Sequence, residues 1–145
     1  RSRGLGDVYK RQALFMATER PDGLPPAVRA GLLAPYDSWS HRVAIWRFVR
    51  DIPLTRRHPT WQVLADLEAR LPELAPRPVQ LIWGMKDWCF TPECLDKFVQ
   101  VWPAAEAHPL ADVGHWVVED APADSERVLG NFLARTDTTI SDAAR

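Results

Sequence analysis

Two cysteines, two methionines and two tyrosines are all that the 145 residues hold of those types. Cys89 and Cys94 stand too far apart for a C-x-x-C redox pair, and no second ligand pair accompanies them for zinc. They read as reduced, buried thiols. Net charge is only −1, which gives no electrostatic footprint for nucleic acid or an anionic membrane surface. No apolar run approaches the roughly 20 residues that span a bilayer. No signal-peptide pattern opens the chain, so the expected compartment is the cytoplasm. Also missing is any G-x-S-x-G or G-x-D-x-G elbow, the strained strand-to-helix turn that exposes a catalytic Ser or Asp. Ser38 and Ser40 lie in Asp-Ser-Trp-Ser without the flanking glycines such a turn requires.

What is present is an ordinary globular composition, 46% hydrophobic and 26% charged, enriched in two residues. Thirteen prolines predict many short elements joined by stiff turns, and seven tryptophans predict aromatic walls around a core or pocket. Residues 1–12 are basic and aperiodic. They read as a disordered or non-native tail, and Gly4–Gln12 resembles a translated sequencing adaptor.

From Ala13 to Leu74 the pattern is helical and punctuated by proline. Pro25-Pro26 opens a segment with Val28, Leu32 and Leu33 at helical spacing. Pro35–Ser38 reads as a turn ending in an N-cap, followed by a helix through Val43, Ile45, Trp46, Val49 and Ile52 that Pro53 stops. Trp61, Leu64, Leu67 and Leu71 define a third helix, ended by Pro72.

Beyond Pro78 the period changes. Val79–Trp83 is a short continuous apolar run, the pattern of a strand covered on both faces. Pro92–Trp102 is helical, Glu106–Ala111 is a weaker strand, and a last helix from Pro122 turns Val128, Leu129, Phe132 and Leu133 inward. Residues 136–145 read as a disordered tail. The expected fold class is α/β, with helices first and then β–α–β–α. Two strands make only the end of a sheet.

The chemistry gathers where each strand stops. Leu81-Ile82-Trp83-Gly84-Met85-Lys86-Asp87 and Asp112-Val113-Gly114-His115-Trp116 share one layout: a strand, a turn, then a titratable side chain delivered to the sheet's carboxyl edge. An Asp and a His so delivered form an acid–base pair, since an imidazole exchanges protons at neutral pH and a carboxylate orients it. Asp87 could also cap a helix or close an Asx turn, and His115 could be a packed core histidine. Asp112, three residues before His115, reads as holding the loop. His108 reads as structural, and His41 and His58 read as solvated.

Three segments carry a resemblance: Trp83–Asp87, Gly114–Pro122 (GHWVVEDAP) and Ala34–Trp39 (APYDSW). Over about Ala13–Arg135 the chain resembles the C-terminal end of an α/β-hydrolase-fold enzyme. The branch in question contains haloalkane dehalogenases, epoxide hydrolases and β-lactone decarboxylases. The resemblance implies a helical cap region over 13–76, a C-terminal βαβα part of the core over 77–135, and cofactor-independent chemistry on a small apolar substrate. It makes Asp87 the acid and His115 the general base of a nucleophile–His–acid triad whose nucleophile is missing here, so the chain alone should be inactive. Trp39, Trp46, Trp88 and Trp116 are the candidate substrate-binding residues, with core packing the competing role for Trp39 and Trp46. A single cap tyrosine, Tyr36, disfavours epoxide opening. Two alternatives stay open: a serine esterase-type fragment, and a non-catalytic helical binding module.

Overall fold

A computed structural model describes residues 12–143, with side chains over 14–38 and 40–136. Residues 1–11 of the expected tail lie outside the described residues. The chain divides into two compact units between Pro72 and Glu73.

The first unit is helical. A π-helical turn, Gln12–Met16, precedes α1 (Pro26–Leu33), a 3-10 turn (Ala34–Tyr36), α2 (Trp39–Arg50) and α3 (Trp61–Arg70). Pro26 sits in the first turn of α1, where its missing N–H costs nothing. The Ser38 hydroxyl accepts the His41 N–H at 3.3 Å and caps α2, as the Pro35–Ser38 pattern predicts. Buried apolar residues of this unit are Leu14, Ala17 and Leu24. His58, expected to be solvated, is instead half-buried and bonded. Its Nε2 donates to the Arg50 carbonyl at 3.0 Å and its Nδ1 accepts the Thr60 N–H at 3.3 Å. Thr60 Oγ1 in turn donates to the Asp51 carbonyl. The free carbonyls at the end of α2 supply the acceptors that a sequence pattern does not display.

The second unit is a βαβ arrangement with two further helices: β1 (Gln80–Gly84), α4 (Pro92–Val101), β2 (Glu106–Leu110), α5 (Val117–Asp120) and α6 (Pro122–Ala143). The strands are parallel, with Gln80 opposite Glu106 and Gly84 opposite Leu110. This matches the α/β class expected. Pro109 faces Trp83 in the ladder, a place open to proline because β2 is an edge strand. Phe98 meets Trp83 in a tilted contact at 5.8 Å between ring centres and stacks on Trp102 at 5.4 Å, which seats α4 on β1. The Gln80 amide donates to the Val128 carbonyl at 3.2 Å and ties α6 to the same strand.

Burial is thinner than the sequence suggests. Leu81, Ile82 and Trp83 are half-buried, because a two-stranded sheet cannot enclose both its faces. On α6 only Val128 of the four expected inward residues is buried. Leu129 and Leu133 are 48% and 49% exposed, since a helix resting on two strands covers only a narrow stripe. Both cysteines are free, but neither is buried as expected: Cys89 is exposed and Cys94 half-buried. Where the sequence reads as a tail from 136, α6 runs on to Ala143. No helix among the described residues is long and apolar enough to cross a membrane.

Candidate acid–histidine site

The two loops that leave the strands are bonded to each other. Met85 N–H donates to the Leu110 carbonyl at 3.0 Å, and Lys86 N–H to the Val113 carbonyl at 2.9 Å. They approach so closely at Gly84 that a Cβ there would lie 2.6 Å from the Val113 carbonyl oxygen and closer still to that of Gly114. Both obstacles are backbone. Glycine is needed here for space, not for its φ, which is positive only at Gly23 among the described residues.

This approach brings Asp87 to His115. Asp87 Oδ1 accepts the N–H groups of Cys89 (2.8 Å) and Phe90 (2.9 Å), closing the Asx turn that the sequence allows. Its other oxygen, Oδ2, lies 2.9 Å from His115 Nδ1. The Asp87 side chain is 7% exposed and that of His115 30%. Burial pushes the Asp87 carboxyl up. Hydrogen bonds from the Phe90 amide, His115 and the Cys89 amide outweigh it and hold the group below the usual carboxylate range. An ionised carboxylate only accepts, so the imidazole proton lies on Nδ1 and the Nε2 lone pair faces away from Asp87.

Aromatic rings surround the imidazole. Phe90 stacks on it at 5.4 Å and 27° between planes. Trp88 stands at 6.3 Å, and Trp116 meets it edge-on at 6.1 Å. The His115 loop is closed by Asp120, whose Oδ2 accepts the Gly114 N–H at 2.9 Å. Asp112 turns instead to Lys86 in an exposed ion pair at 2.9 Å. His108 sits within β2. His41 is exposed and paired with Asp37 at 2.6 Å.

Of the six sequence-predicted site residues, four therefore converge: Asp87, His115, Trp88 and Trp116. Trp46 belongs to α2, in the first unit, where the Arg50 guanidinium lies 4.7 Å over its ring. Trp39 opens α2, and its side chain lies outside the described residues. Phe90, Asp120 and the steric role of Gly84 escape a reading by residue type. The signal for Phe90 is its place directly after the Asx turn that Asp87 closes on Cys89, where its own N–H also reaches the carboxylate. No cluster of three His, Cys, Asp or Glu that could hold a metal ion occurs among the described residues.

Parallel strands whose carboxyl ends bring an Asp and a His within hydrogen-bond distance form the geometry that an acid–histidine pair requires. No family model matches the chain. It is homologous to curated proteins named cis-3-alkyl-4-alkyloxetan-2-one decarboxylase, and so resembles the β-lactone decarboxylases of the α/β-hydrolase family. The relative from Xanthomonas campestris is 39% identical over 112 residues, 77% of this chain and 37% of the relative. The relative from Shewanella oneidensis is 35% identical over 111 residues, again 77% of this chain and 35% of the relative. The chain thus spans little more than a third of the length of the curated relatives it matches.

Proposed function

We propose that this chain is the C-terminal part of a β-lactone decarboxylase of α/β-hydrolase type. Asp87 is the acid and His115 the base of its triad, and the nucleophile comes from a part of the enzyme outside these 145 residues. Residues 13–76 then belong to a cap and residues 77–135 to the core. The observation that carries the reading is the 2.9 Å contact between Asp87 Oδ2 and His115 Nδ1 at the ends of two parallel strands.

Losing CO2 from an oxetan-2-one breaks the C2–C3 and C4–O1 bonds and leaves a C3=C4 alkene. No net proton is gained or lost, so a proton taken by His115 Nε2 must be returned within the same turnover. Asp87 fixes the tautomer that leaves Nε2 unprotonated and stabilises the imidazolium formed in between. Trp88, Phe90 and Trp116 offer apolar surface beside the base, suited to the alkyl arms of a small apolar substrate.

The test is a chimera of the Xanthomonas campestris enzyme, with the 112 aligned residues replaced by those of this chain. Supplied with a cis-3,4-dialkyl-oxetan-2-one, it should release CO2 and the corresponding alkene. A folded chimera that yields neither contradicts the proposal.

A further inference from the structure

We infer that Phe90 is a positioning residue for His115: its ring, clamped at both ends of its own backbone, fixes the plane of the imidazole and favours its protonated form. The inference rests on His115 being the base, as proposed above. Three independent contacts carry it. The Phe90 N–H donates to Asp87 Oδ1 at 2.9 Å. The Phe90 carbonyl accepts the Trp83 indole N–H at 2.8 Å. Between these two anchors the phenyl ring stacks on the imidazole, 5.4 Å between centres and 27° between planes.

The clamp has a clear logic. Phe90 lies in an irregular loop and is 53% exposed, so burial alone would not hold its ring in one place. Asp87 and Trp83 do so by holding the backbone on either side. One carboxylate thereby orients both partners of the stack: Oδ2 faces the edge of the imidazole, and Oδ1 holds the residue that covers its face. An aromatic face attracts a cation, so an imidazolium gains from Phe90 what a neutral imidazole does not. Two carboxylates bond to His115 or to the residue before it: Asp87, on the loop after β1, and Asp120, which accepts the Gly114 N–H. Both carboxylates are retained in every variant named below.

The experiment is a pH titration of the full 145-residue chain carrying 13Cε1-labelled histidine. The chain has four histidines, and the His115 signal is assigned by its loss in His115→Gln. A cation–π contact at a partly exposed site corresponds to a shift of about half a pH unit. Phe90→Leu keeps apolar bulk but removes the ring, so the His115 midpoint should fall by about that amount. Phe90→Tyr keeps the ring and should leave the midpoint at the wild-type value. Trp83→Phe removes the indole donor while Phe90 stays, and should lower the midpoint by less than Phe90→Leu does. It provides the reading if Phe90→Leu fails to fold. An unchanged midpoint in Phe90→Leu and Trp83→Phe, or an equal fall in Phe90→Tyr, overturns the inference. None of these outcomes bears on whether His115 is the base, which is decided by turnover in the chimera.

Discussion

Replacing Gly84 with alanine should be the most damaging single-methyl change in the second unit, whereas the same change at Gly31 or Gly130 should stabilise the chain. A Cβ at Gly84 would lie 2.6 Å from the Val113 carbonyl oxygen and nearer still to that of Gly114, far inside contact distance. Neither atom can swing aside as a flexible side chain would. The Val113 carbonyl also accepts the Lys86 N–H, so moving it breaks a bond that joins the two loops. Overpacking of this kind costs roughly 1–3 kcal/mol, and backbone obstacles on two residues place Gly84→Ala near the upper end. Gly31 and Gly130 lie inside α1 and α6, and an added Cβ at either meets nothing within 4 Å. Alanine there should add about 0.5–1 kcal/mol by helix propensity. Urea unfolding followed by far-ultraviolet circular dichroism, at matched dilute concentrations, measures all three. Against a domain whose whole stability is on the order of 5–15 kcal/mol, the expected separation of about 3.5–4 kcal/mol is readily seen. A Gly84→Ala midpoint equal to wild type would refute the claim that the two strand-end loops meet there.

Three further outcomes follow from the same contacts. Asp87 titrates below the normal carboxylate range in the folded chain, so its share of stability is present above about pH 4 and is lost as pH falls through the folded value. Asp87→Asn should therefore cost more at pH 7 than at pH 3, and equal losses in urea midpoint at both pH values would contradict this. His58→Ala leaves the Arg50 carbonyl and the Thr60 N–H without their imidazole partner, and should cost about 1–2 kcal/mol by the same unfolding assay. A loss indistinguishable from zero would remove His58 from the α2–α3 connection. Phe48, Leu54, Leu67 and Leu133 are among the large apolar residues left exposed, so the chain should enhance the fluorescence of an apolar dye at neutral pH. No enhancement would contradict the exposure described.

The pair at the heart of the site is legible because each partner follows an apolar run and a turn, and parallel strands deliver such residues to one edge. Helix starts are legible where proline marks them, at Pro26, Pro92 and Pro122. Burial is less so: Leu129 and Leu133 carry an inward pattern, but a two-stranded sheet gives α6 too little surface to cover them. His58 reads as solvated because its partners are backbone groups at a helix end, which no side-chain pattern reports. Phe90 and Asp120 act through backbone N–H groups and ring geometry, so residue type alone does not single them out.

The central claim is that Asp87 and His115 serve one nucleophile as acid and base. Turnover of a cis-3,4-dialkyl-oxetan-2-one by the chimera carrying Asp87→Asn or His115→Ala tests it most directly. Each variant, folded, should lose about 10³-fold or more in turnover. Near-wild-type turnover in either one would contradict the account.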